Sequence, residues 1–193
     1  GEHNPNIKSW NPAKKEYKEL TSYEGKDTWP MVDKDGNLYY VTDKFNKESN
    51  IAKYEKKGED VQLTSFGKSL QYPSISFDGS KIAFTYKGNI YVVPAEGGKA
   101  SQITTNPSYD SDPIWTPDGQ NIVFSSYREK SKDVYVVPAE GGFPKRLTSH
   151  TGNETPLEVL KDGSVLFTAN IQPDAQYGDF PGGSQVYMIG KDG

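Results

Sequence analysis

Hydrophobic residues fall in short bursts along this chain. Within residues 112–148 an apolar pair, Ile114 and Trp115, meets the turn Pro117-Asp118-Gly119. A second run follows at 121–124, a third at 134–137, then Gly141-Gly142 and a short tail at 145–148. Brief runs rich in Val, Ile, Phe and Tyr, punctuated by Asp-Gly and Gly-Gly, are strands joined by tight turns. The stretch predicts one antiparallel meander of four strands, here a to d.

The same pattern recurs. Asp-Gly turns stand at Asp35-Gly36, Asp78-Gly79, Asp118-Gly119 and Asp162-Gly163, with spacings of 43, 40 and 44 residues. The closing pairs Leu20-Thr21, Leu63-Thr64, Ile103-Thr104 and Leu147-Thr148 keep the same step, and Pro30, Pro73, Pro113 and Pro156 open strand a. Four strands per ~40–45 residues is the signature of a β-propeller blade. The expected fold is all-β: a propeller, or a segment of one, of four to five four-stranded antiparallel blades. Residues 6–21 supply strands c and d of a partial blade. Residues 29–64, 72–104 and 112–148 form complete blades, and 156–193 carry strands a, b and c of another. Either the first d strand completes the last blade and closes a small ring, or the chain is part of a larger propeller. The redundant c strand favours the second arrangement, whose open ends are a route to self-association. The b–c connection at 170–184 is the longest, and a loop this long in a compact repeat is either functional or mobile.

Composition narrows the chemistry. A formal net charge of −4 gives no electrostatic footprint for nucleic acid. No apolar run approaches the ~18 residues of a membrane-spanning helix. There is no cysteine, which removes disulfides, thiol catalysis and cysteine metal sites. No nucleophile elbow, zinc-binding histidine pair or phosphate-cradling loop is present, and the two histidines, His3 and His150, lie on loops. No metal site or cofactor is expected, and no catalytic residue is assigned. The Asp-Gly turns read as aspartates capping their own backbone.

The informative polar set precedes strand a. Alignment on the four prolines places Asp27, Gln71, Asp110 with Asp112, and Glu154 in the loops approaching that innermost strand. They would ring one mouth of the central channel, an acidic rim suited to a peptide amine, a basic segment or a cation. Alternatively, these carboxylates bind turn N–H groups. Trp10, Trp115, Tyr39, Tyr91, Tyr135 and Tyr187 recur as inter-blade packing would demand, whereas Trp29 and Tyr72, each just before a strand-a proline, are the candidates for exposed contacts.

The segments IWTPDGQNIVF, VYVVPAEGG and RLT, with YPSISFDGSKIAFTYKGNIYVVPAEGG one repeat earlier, resemble the TolB-type, WD40-like propeller repeat. The phrasing is most similar to the N-terminal propellers of tricorn-like serine peptidases. That resemblance implies a non-catalytic module for peptide or protein recognition, or for gating substrate, within a longer peptidase. The alternative it implies is a TolB-like periplasmic protein–protein interaction scaffold, and a stand-alone propeller lyase or hydrolase ranks last. A periplasmic or secreted location follows from the resemblance alone.

Overall fold

The computed structural model describes residues 4–150, 152–170 and 184–193. Seventeen strands among them form five antiparallel sheets. A hairpin of β1 (Lys8–Asn11) and β2 (Glu16–Glu19) comes first. Next is the meander β3 (Asp27–Val32), β4 (Leu38–Thr42), β5 (Asn50–Lys53) and β6 (Val61–Gln62). The second meander is β7 (Gln71–Ile75), β8 (Lys81–Tyr86), β9 (Asn89–Pro94) and β10 (Ser101–Gln102). The third is β11 (Asp110–Trp115), β12 (Asn121–Ser126), β13 (Asp133–Pro138) and β14 (Lys145–Arg146). Three strands close the series: β15 (Glu154–Val159), β16 (Val165–Ala169) and β17 (Gln185–Ile189). The fold is all-β, built from repeated sheets of propeller-blade type. The long connection at 170–184 falls almost wholly outside the described residues.

The sheets stack face to face. Alternation along β4, β8 and β12, the second strands of the complete meanders, sends neighbouring side chains to opposite faces, and both faces are covered. Ile122 and Phe124 pack with Ala83, Ile90 and Val92 of the preceding sheet, while Val123 packs with Val159, Val165 and Phe167 of the following one. Likewise Tyr39 and Val41 meet Ile82 and Phe84, whereas Leu38 and Tyr40 meet Ile7 of the hairpin unit. This explains why β4 is buried at every position and why the b strands read as continuous apolar runs rather than alternating ones. Strands β3, β7, β11 and β15 lie side by side as the innermost row. The β1–β2 hairpin stays a separate sheet and does not pair with β17.

Two sequence features acquire their physical meaning here. The outermost strands β6, β10 and β14 contribute only two residues each to the ladder. The closing Leu/Ile-Thr pair then takes over. Its Leu or Ile N–H donates to the carbonyl of Ile7, Ile51, Ile90 or Val134. The Thr hydroxyl oxygen accepts that same residue's N–H, at 2.9, 2.9, 3.0 and 2.8 Å for Thr21, Thr64, Thr104 and Thr148. At the inner turns the Asp78, Asp118 and Asp162 carboxylates accept the N–H two residues on. Hydrogen bonds from the Ser76 hydroxyl and from Ser80 hold the Asp78 carboxyl down to about 2. In the first such turn Asp33 rather than Asp35 does the capping, accepting from the N–H groups of Asp35 and Asn37.

Thr104→Val keeps shape but leaves the buried Ile90 N–H without its acceptor. Urea denaturation is expected to show a loss of about 1–3 kcal/mol with an unchanged denaturant slope.

Candidate functional site

The innermost strands begin earlier than the prolines suggest. Asp27, Gln71, Asp110 and Glu154 are the first residues of β3, β7, β11 and β15, and Asp112 lies within β11, so none sits on a loop. The strand survives the proline because the register shifts there, between Thr28 and Met31, Gln71 and Ser74, and Ser111 and Ile114. A bulge leaves residues out of the ladder, so a proline without an N–H costs no ladder bond. The residue before each of these prolines takes a positive φ: 46° at Trp29, 51° at Tyr72 and 55° at Asp112. In the fourth sheet the shift falls one residue later, between Pro156 and Glu158.

The bulge sorts the expected site residues into two layers. Below lie Asp27, Asp110 and Glu154, all essentially without solvent contact. Asp110 accepts from the Arg128 guanidinium at 2.9 Å. That guanidinium also donates to the Ser126 hydroxyl at 3.1 Å and lies 5.5 and 5.4 Å from the ring centres of Phe124 and Tyr135. Glu154 accepts from the Thr148 hydroxyl. Burial pushes the Glu154 carboxyl above its ordinary range, and the nearby Asp133 charge adds to this against the Thr148 hydrogen bond. Neither oxygen of Asp27 has a hydrogen-bond partner among the described residues.

Above lie Trp29, Tyr72, Gln71 and Asp112. Trp29 is 41% exposed and Tyr72 38%, with ring centres 6.0 Å apart across neighbouring inner strands. Gln71 accepts from the Tyr109 hydroxyl at 2.9 Å, and Tyr109 is itself exposed. Asp112 is held by Lys132 at 2.8 Å and by the Ser111 hydroxyl at 2.6 Å, and Lys132 also donates to Thr155 at 3.0 Å. This end of the inner strands thus carries exposed aromatic rings and a neutralised ion pair, with most of the carboxylates beneath the surface. The pairing residues Arg128 and Lys132 come from the third blade's b–c connection. Their charge opposite Asp110 and Asp112 in the repeat alignment was the available signal.

The other aromatics divide. Tyr39, Trp115 and Tyr135 are buried in the inter-blade cores, and Tyr91 and Tyr187 pack at their margins. Trp10 departs from the expected core role: it is 48% exposed and stacks on Tyr17, because no further sheet covers that face of the hairpin. His150 is exposed and accepts the Gly152 N–H, and His3 lies outside the described residues. No group of three His, Cys, Asp or Glu residues suited to a metal ion occurs among the described residues.

Repeated antiparallel blades with charges gathered at one end of the inner strands define a propeller. The chain belongs to the family of the tricorn protease N-terminal β-propeller domain, whose model matches residues 67–180. It is 35% identical over 108 residues to the uncharacterized peptidase YuxL of Bacillus subtilis (strain 168), covering 50% of this chain and 16% of that protein. Among solved structures it resembles TolB from Acinetobacter baumannii with a TM-score of 0.73 and 24% identity, over 95% of this chain and 45% of TolB. It also resembles the tricorn protease, with a TM-score of 0.65 and 11% identity over 90% of this chain and 18% of that one. The chain therefore spans less than half the length of each of these proteins.

A carboxyl whose folded value lies above its unfolded one, ordinarily 4.5 for Glu154, keeps more protons in the folded state across that window. Stability then falls as pH rises through it. Glu154→Gln is expected to remove this fall and to be more stable than the natural chain at neutral pH. Denaturation curves at acidic and neutral pH decide it; a neutral-pH loss of stability counts against the assignment.

Proposed function

We propose that this chain is a non-catalytic recognition module, a TolB-like scaffold that receives a peptide or protein partner at the mouth formed by the starts of β3, β7, β11 and β15. One observation carries the reading. Trp29 and Tyr72 are bulky side chains held at positive φ, where such residues are seldom found, and they are paired and exposed there. Backbone strain of about 1–3 kcal/mol per residue, kept where glycine or asparagine would fit without it, points to a use for the rings. Aromatic rings with a polar rim are what binding surfaces are made of.

In this reading Gln71 and Asp112 supply polar contacts beside the rings. Asp27, Asp110 and Glu154 act from below, Asp110 by anchoring Arg128. The likeness to TolB over nearly the whole chain supports the scaffold role. A second reading, the propeller of a longer peptidase that admits or selects its substrate, is supported by the family match and by the identity to YuxL. In both readings the module recognises and does not cleave, and a periplasmic or secreted location accompanies the first.

Native mass spectrometry with a mixed peptide pool tests the proposal. Intact peptide adducts are expected on the natural chain, and cleaved peptides would overturn the non-catalytic role. Trp29→Gly and Tyr72→Gly relieve the positive φ, so each is expected to fold at least as stably while losing the adducts. Adducts retained in both variants place recognition elsewhere. The same spectra read out self-association through the open sheet edges.

A further inference from the structure

Blade three contains a template that blade one leaves unfilled. Asp110 pairs across the ladder with Ser126, and Arg128 follows Ser126 by two positions and neutralises Asp110. In the first blade Asp27 pairs with Thr42 in the same way, and Lys44 follows Thr42 by two positions. Phe124, over which the Arg128 guanidinium lies, corresponds to Tyr40, two residues before Thr42. The carboxylate, the basic residue and one of the two aromatic rings of the Asp110–Arg128 arrangement thus have counterparts; Tyr135, the second ring, corresponds to Ala52.

Lys44 does not fill its place. Its ammonium donates to Asp60 and, at 3.0 Å, to the Tyr40 hydroxyl, which itself donates to Asp60 at 2.6 Å. Burial would raise the Asp60 carboxyl, but the hydrogen bonds from Lys44 and Tyr40 outweigh it and bring the value below the ordinary one. Lys44 and Asp60 therefore satisfy each other. Asp27 is left 2% exposed, with both carboxylate oxygens unpartnered among the described residues. A buried carboxyl group without hydrogen-bond partners is costly, and the repeat shows which group the position accepts.

Beside Asp27 lies a cavity of about 370 Å³ lined by Thr21, Tyr23, Tyr40, Lys44, Tyr54 and Asp60 among others. We propose that this cavity is a guanidinium-binding site, in which Asp27 receives from a ligand or partner the arginine-like group that Arg128 supplies to Asp110 within the chain. Two free oxygens on one carboxylate match the paired N–H groups of a planar guanidinium, and Tyr23, Tyr40 and Tyr54 supply aromatic residues to the lining. An ammonium would meet only one oxygen well. Asp27 itself lines the cavity, whose lining includes neither Trp29 nor Tyr72.

The probe is N-acetyl-arginine amide, titrated calorimetrically into the natural chain with N-acetyl-lysine amide as comparison. Millimolar binding of the arginine compound is expected, weakened about thirtyfold or more by Asp27→Asn. Lys44→Arg combined with Asp60→Asn removes the competing carboxylate and places the guanidinium in cis, so this double variant is expected to abolish binding of the arginine compound. The double variant keeps the test sound even if Asp27→Asn folds poorly. No binding by the natural chain at tens of millimolar, or undiminished binding by folded Asp27→Asn or by the folded double variant, overturns the proposal. Equal binding of the lysine compound overturns the guanidinium assignment. Because the probe is a single residue, these outcomes are separate from any loss of peptide recognition at the mouth.

Discussion

Burial of both faces of the three complete sheets is the constraint on which the rest depends. A sheet of four short strands has two apolar faces, and neither can be left in water. Phe124 and Val123 are adjacent in sequence yet belong to different cores, one shared with the preceding blade and one with the following. No blade is stable by itself in this arrangement, and stability accumulates through neighbour interfaces. Trp10, at a core-like position in the repeat, is exposed and lies against Tyr17 instead.

Stacking also dictates how the ladders end. The outer strands carry two ladder residues, after which a threonine hydroxyl replaces the next backbone acceptor. The chain is thereby free to cross to the next inner strand without leaving the Ile51, Ile90 or Val134 N–H unpaired. At the inner strands the problem is a proline with no donor, and the solution is a bulge. In three of the sheets the bulge holds the residue before the proline at positive φ, at Trp29, Tyr72 and Asp112, so the device that accommodates the proline also sets that residue's backbone.

Charge at the mouth is settled blade by blade. The same position carries an aspartate without a partner, an exposed glutamine, an aspartate locked to an arginine, and a glutamate held by a threonine. Coulomb attraction is strong in such covered sites and an unpaired carboxylate is costly. The third blade supplies Arg128 as compensation and the fourth the Thr148 hydroxyl, whereas Asp27 stands out because its counterpart Lys44 is engaged with Asp60.

The fold was legible in the chain because repeat spacing, alternating hydrophobicity and turn chemistry are local, and Asp-Gly, the strand-a proline and Leu/Ile-Thr keep step across about four blades. The positions of Asp27, Gln71, Asp110, Asp112 and Glu154 at one end of the innermost strands followed from the same alignment. Their state did not. Whether a carboxylate is exposed, paired or stranded depends on which side chain from another strand reaches it, and that is set by register. Arg128 reaches Asp110 while Lys44, at the corresponding place, turns to Asp60, a choice made by a residue sixteen positions further along. Positive φ at Trp29 and Tyr72 was equally hidden, because it arises only where the bulged strand is held against its neighbour. Sequence alone determined the repeat and its apolar faces; tertiary contact decided which of the repeated polar groups remain available, since electrostatic satisfaction is a property of neighbours and not of the residue itself.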